Sequence, residues 1–246
     1  MTVDRTAGLI VIGNEILSGK VTDSNSAFLA RELRSVGVTL RRIVTIPDEI
    51  DVIAAAVREF RPAYDLVFTS GGVGPTHDDV TIDGVARGLD RQVIRHPAIE
   101  SRLREFFKDK INEARLKMAE VPDGSELIVD QRFGFPTVKC ENFYILPGIP
   151  EIFEQKLAAL KDGFSATPYV LHVIYTRDGE GAIAEHLNAT VAAFPDLLLG
   201  SYPKIGDPEY MVKVTLESKD CDYVERALAH LLRALPDGCV VKTESR

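Results

Sequence analysis

Apolar and polar positions along the first two thirds of the chain alternate between two rhythms. Residues 7–12 are a near-continuous apolar run, the pattern of a strand covered on both faces. A polar connector of eleven residues, 13–23, follows. Asp23 is placed to cap a helix to about Val36, with Phe28, Leu29, Leu33 and Val36 on one face and Gly37 as its stop. Residues 38–46 predict a strand, and Asp48 opens a helix striped by Ile50, Ile53, Ala54, Val57 and Phe60. Residues 65–70 predict the next buried strand, which runs into a glycine-rich loop and a helix from about Thr76 to Leu89.

Beyond it the pattern predicts a short strand over 93–95, then one long helix over 98–117 with Ile99, Leu103, Phe106, Phe107, Ile111 and Ala114 inward. A strand over 126–130 and a hairpin of 137–139 with 143–146 follow, and Pro150 suits the first turn of a helix to about Leu160. Strands alternating with helices imply βαβ units and a mostly parallel, doubly wound α/β sheet. The pattern changes at the turn-rich residues 161–163. Strand 170–176, helix 181–194, strands 197–202 and 210–217, helix 220–235 and strand 239–242 then make the β-α-β-β-α-β order of a ferredoxin-like α+β domain. Two domains are therefore expected, 1–163 and 164–246.

Composition adds exclusions. The 246 residues are 45% hydrophobic and 27% charged, which rules out a disordered or coiled-coil chain. With 29 Lys+Arg against 37 Asp+Glu the net charge is −8, against a nucleic-acid partner though not against a nucleotide. The three cysteines, Cys140, Cys221 and Cys239, lie far apart and have no zinc spacing, so reduced thiols in a cytoplasmic protein are expected. The apolar run that ends at Gly13-Asn14-Glu15 is too short for a secretory signal or a membrane span.

The richest chemistry lies in Gly71-Gly72-Val73-Gly74-Pro75-Thr76-His77-Asp78-Asp79-Val80-Thr81, at the carboxyl end of a buried strand, where open parallel sheets bind ligands. Its glycines permit close backbone approach, and free amides at a helix start suit an anion. His77 breaks a Rossmann fingerprint in the Gly72-x-Gly74 register, and no P-loop is present. A phosphate beside Asp78 and Asp79 meets repulsion of about 4 kcal/mol per charge pair at 4 Å and an effective dielectric near 20. A divalent cation reverses that sign, so a phosphate site here predicts Mg²⁺, Mn²⁺ or Co²⁺. With both acids in the first helical turn, Asp78 is expected to face the site alongside Thr81, and Asp79 to cap or pair. His77, next to Asp78, is a candidate proton shuttle.

The connector after the first strand is the second candidate, through Gly13, Asn14, Glu15, Asp23 and Asn25. Asp23 has a helix cap as its plainer role, and Glu15 or Asp23 is expected to share the metal. Pro147-Gly148-Ile149-Pro150 is the third. The basic residues of 91–117, eight Lys/Arg among four Asp/Glu, read as a solvated helix face.

Taken in order, Ile12-Gly13-Asn14-Glu15-Ile16-Leu17-Ser18-Gly19, Asp23-Ser24-Asn25, the Gly71–Thr81 set and Leu146-Pro147-Gly148-Ile149-Pro150 resemble the molybdopterin-binding (MogA/MoaB-like) superfamily. The form G-P-T-x-D-D-x-T is similar to the CinA branch, and T-H-D-D-V-T with P-G-I-P is similar to the amino-terminal domain of FAD synthases. The resemblance implies a three-layer α/β/α fold, with the small α+β domain that follows it in CinA proteins. It also implies metal-dependent hydrolysis of the pyrophosphate of ADP-ribose or FAD. In the molybdopterin branch it implies a loop that binds the pterin phosphate and an aspartate, here Asp78 or Asp79, that assists adenylyl transfer. Neither the CinA deamidase domain nor the FAD-synthase S-G-G-x-D-S motif is found in this sequence. Three readings stay open: a pyrophosphatase acting on an ADP-containing dinucleotide, a molybdopterin-binding or adenylylating protein, and a catalytically silent module. Self-association is expected from the relatives.

Overall fold

The computed structural model describes residues 4–129, 134–206 and 208–245. The amino-terminal residues 1–3, and Asp130 at the end of the expected 126–130 strand, lie outside the described residues. The chain divides into two units, Met1–Ala166 and Thr167–Arg246, with the change falling slightly later than the turn-rich 161–163.

In the first unit, β1 (Thr6–Ile12) sits between β2 (Thr39–Ile46) and β3 (Leu66–Ser70). The sheet continues through β8 (Phe143–Leu146), β7 (Thr137–Cys140) and β6 (Glu126–Ile128). β2, β1, β3 and β8 are mutually parallel, while β7 and β6 form an antiparallel edge. This is the mixed, mostly parallel sheet expected of the fold.

Alternate side chains of the central strands face opposite layers, which makes the near-continuous apolar runs intelligible. Leu9, Val11, Phe68 and Leu146 pack under α2 (Asn25–Ser35) and α7 (Pro150–Leu160), against Leu29, Leu33, Phe153 and Leu157. Ile10, Ile12, Val67 and Ile145 pack under α3 (Ile50–Phe60) and α4 (Thr81–Gly88), against Ile53, Val57, Phe60 and Val85. Each fully buried Leu, Ile, Val or Phe contributes about 1.5–3 kcal/mol. Helices on both faces of the sheet make three layers.

The topology also positions the ligand site. From β1 the chain passes through the one-turn α1 (Asn14–Leu17) and α2 to β2 on one side, then through α3 to β3 on the other. The connections thus diverge at the carboxyl ends of β1 and β3, the switch point where such sheets open a crevice.

Two expected helices are revised. The helix expected from Thr76 begins only at Thr81, so Asp78 and Asp79 lie in a loop. The helix expected over 98–117 is broken into α5 (Pro97–Phe107) and α6 (Glu113–Lys117). Lys108 takes φ +47° between them, and the Asn112 side chain accepts the Arg115 amide to start α6. Apolar period alone does not register such a stop, because Ile111 and Ala114 keep the stripe alive across it. The chain after α6 forms β5 (Glu120–Pro122), unforeseen in the sequence, which pairs with β4 (Val93–Arg95).

The second unit follows its expected order closely: β9 (Val170–Thr176), α8 (Glu180–Ala193), β10 (Leu198–Pro203), β11 (Val212–Ser218), α9 (Cys221–Ala234) and β12 (Val240–Ser245). Its antiparallel sheet runs β10-β11-β9-β12, the ferredoxin-like arrangement. Ile174, Val214 and Leu216 bury one face beneath Ile183, Leu187, Val224 and Leu231. No helix among the described residues is long and apolar enough to cross a membrane.

Candidate functional site

Strand register brings the three candidate loops together. Val11 pairs with Ser70, and Ser70 pairs with Leu146, so the segments after Ile12, Ser70 and Leu146 emerge side by side. Asn25, only 5% exposed, ties them: its Nδ2 donates to Ser70 Oγ and to the Gly148 carbonyl, both at 2.9 Å. A Cβ on Gly148 would approach Gly71 Cα to 3.2 Å, which is why the third loop needs a small residue. Gly13 donates its amide to Ile46 O at 3.1 Å, and Asn14 donates its own to Asp48 Oδ2 at 2.7 Å. Asp48, expected only to open α3, therefore holds the first loop from the end of β2. An acid at the carboxyl end of the neighbouring parallel strand was the available signal.

The glycine turn is held by its own backbone and by Thr81. Gly71 has φ +104°, and a Cβ there would lie 2.2 Å from the Ile12 carbonyl oxygen; no other residue fits. Thr81 is fully buried, with Oγ1 donating to Gly71 O at 2.8 Å and its amide to Gly72 O at 3.0 Å. The hydroxyl expected at the ligand is spent on fixing the turn. Gly72, Val73 and Gly74, by contrast, send their amides to no acceptor among the described residues.

Those three residues line a cavity of about 730 Å³, within the range of about 300–1,000 Å³ typical of small-molecule sites. Gly71 and Pro75 complete that side, and Pro147 and Gly148 adjoin it. Two carboxylates of the expected set, Glu15 and Asp79, also line it, while an apolar wall includes Phe107, Phe135 and Ile82.

The expected roles of Asp78 and Asp79 are exchanged. Asp79 accepts the Thr76 amide at 2.8 Å and the Thr76 hydroxyl, and it faces the cavity. These side-chain bonds compete with helical ones and delay the helix to Thr81. Asp78 points outward with its side chain 60% exposed, 3.9 Å from the fully exposed His77 ring. Neither His77 nor Asp78 lines the cavity, so the expected proton shuttle stands away from it.

Asp23 takes its plainer role. Its carboxylate accepts the Ser26 amide at 3.0 Å and the Ser26 hydroxyl, which secures the start of α2. Among the described residues no three His, Cys, Asp or Glu side chains converge as a metal-binding group. The expected trio of Asp78, Glu15 and Asp23 is therefore not assembled. Glu15 and Asp79 fit a cation that brings most of its ligands as phosphate oxygens and water, as Mg²⁺ prefers.

Sequence reasoning missed Lys117. Assigned to a solvated helix face, it instead donates from Nζ to the carbonyls of Thr76 (3.0 Å) and Asp79 (2.8 Å) and lines the cavity. Lys156 lines it too, buried and donating to Phe135 O and Pro136 O at 3.0 and 2.9 Å. Neither position carried a sequence signal, since a lysine in an amphipathic helix normally faces water.

This arrangement of loops has known counterparts. The sequence profile of a family described as probable molybdopterin binding domain matches residues 8–165. The chain belongs to this family. A second profile, the middle domain of FAD synthase, matches residues 168–244, so the family domain and its follower coincide with the two structural units. A protein of Archaeoglobus fulgidus is 34% identical over 229 residues, which cover 93% of this chain and 97% of that one. A probable FAD synthase of Caenorhabditis briggsae is 31% identical over 98% of this chain but 51% of its own length. The chain thus spans about half of that relative. The crystal structure of the protein CinA, of unknown function, from Thermoplasma acidophilum superposes with a TM-score of 0.60 at 31% identity, over 65% of this chain and 98% of that one. The resemblance to CinA and FAD synthase sequences holds, and with it the MogA/MoaB-like fold.

Proposed function

We propose that this cavity binds the diphosphate of an ADP-containing dinucleotide, of the ADP-ribose or FAD class, and that the chain hydrolyses it with a divalent cation. The observation that carries the reading is the row of unspent amides at Gly72, Val73 and Gly74 beside the carboxylates of Glu15 and Asp79. Such amides suit phosphate oxygens. Carboxylates beside them oppose a diphosphate unless a cation intervenes. Glu15 and Asp79 would hold Mg²⁺, Mn²⁺ or Co²⁺, which when bound supplies charge neutralisation at the phosphoryl oxygens. The turn amides orient the diphosphate, Gly148 leaves room for it, and the wall of Phe107 and Phe135 excludes water from the organic half. The FAD-synthase relatives favour a nucleotide of this class.

The test is incubation with ADP-ribose or FAD and each metal in turn, with AMP as the readout. Asp79→Asn and Glu15→Gln are expected to lower AMP release at least tenfold, and Asp78→Asn far less. No AMP from either substrate with any of the three metals sinks the hydrolase.

A second reading rests on the family match itself: binding of molybdopterin, or its adenylylation. It expects pterin to co-purify with the chain, or ATP turnover that depends on pterin, and no AMP from FAD.

A further inference from the structure

An ammonium group has three donors, and Lys117 commits two of them. Its Nζ bonds to the carbonyls of Thr76 and Asp79 close the turn from a segment 38 residues further along the chain. The third donor meets no acceptor among the described residues, and the side chain is only half-buried along the cavity. The break at Lys108 makes this possible: a continuous helix over 98–117 would carry the side chain along one straight axis, whereas α6 is started anew by Asn112.

The charges around the cavity single Lys117 out. Among the described residues, Glu15, Asp79, Asp83 and Glu120 line it and repel an anion, and the other lining cation, Lys156, is buried with its ammonium directed to Phe135 O and Pro136 O. The unspent amides of Gly72 to Gly74 lie on the same turn that Lys117 clips. We propose that Lys117 is a phosphate-contact residue: its third N–H takes a phosphate oxygen of the ligand while the other two hold the turn. One ammonium then holds both the turn and the anion, and a ligand lacking phosphate gains nothing from the third donor. This rests on the reading that the cavity takes a phosphate, but not on hydrolysis.

The test is calorimetric titration with inorganic pyrophosphate in the presence of Mg²⁺, on the wild-type chain, Lys117→Gln and Lys117→Arg. Gln keeps two donors for the carbonyl clip without the charge; Arg keeps the charge. Amide exchange of the 72–79 turn and the melting temperature report whether the clip survives. The expected result is affinity at least tenfold lower for Lys117→Gln, equivalent to about 1.4 kcal/mol, and within about threefold of wild type for Lys117→Arg. Equal affinity in all three proteins overturns the proposal alone, as does equal loss in both variants. A wild-type chain that binds no pyrophosphate overturns it together with the phosphate reading of the cavity. Binding without any AMP release from ADP-ribose removes only the hydrolase.

Discussion

Asn25 Nδ2 donates to the Gly148 carbonyl oxygen at 2.9 Å, joining residues 123 positions apart in sequence. The same amide reaches Ser70 Oγ, so one buried side chain staples the loops that follow β1, β3 and β8.

Removing the staple leaves the buried Ser70 hydroxyl oxygen without its donor and releases the Gly148 carbonyl, which costs about 1–3 kcal/mol. Asn25→Ala is therefore expected to lower the urea midpoint by that equivalent. Ligand affinity is expected to weaken more than for a change of similar cost in the core of the second unit, such as Leu231→Ala. Equal ligand affinity in the two variants would show that the loops do not need the staple.

Gly71→Ala is expected to be among the most damaging single substitutions. Its positive φ costs an L-residue about 1–2 kcal/mol, and the Cβ meets main chain, the Ile12 carbonyl, which cannot swing aside. A loss above about 2 kcal/mol in chemical denaturation checks this.

Thr81→Val keeps the shape of a fully buried side chain but strips the Gly71 carbonyl of its donor. A loss of about 1–3 kcal/mol is expected, with Thr81→Ser recovering most of it; the comparison of melting temperatures separates the hydroxyl from the methyl.

Asp65 gives the acid limb its shape. Its carboxylate accepts the Thr6 amide at 2.7 Å and the Thr6 hydroxyl at 2.8 Å, and these bonds hold its pKa below the ordinary value. A depressed folded pKa means stability that is present above the unfolded pKa of about 3.9 and lost as pH falls through the folded one. Between pH 5 and pH 2 the wild type is expected to lose more stability than Asp65→Asn, in urea titrations at each pH. Parallel curves would assign the acid limb to other groups.

Where the physics is local, the sequence was legible. Most strand and helix positions in both units follow from continuous apolar runs and 3.6-residue apolar periods, because burial on both faces of β1 and β3 leaves little freedom in residue type. The three loops that build the cavity were readable for the same reason: each follows a parallel strand, and parallel strands end at one edge. The start of α4 was not, because the side-chain bonds of Asp79 to Thr76 outcompete a helical turn in a way that composition does not reveal. That displacement reversed the roles of Asp78 and Asp79.

The fold class, the family, the order of both units and the segments that meet at the site were determined by residues that act through their immediate neighbours. Which carboxylate faces the cavity, the capping role of Asp23, and the arrival of Lys117 and Lys156 were decided only by packing. Those side chains bond to main-chain carbonyls or hydroxyls whose positions exist only once distant segments have come together, and no period in the sequence encodes such a meeting.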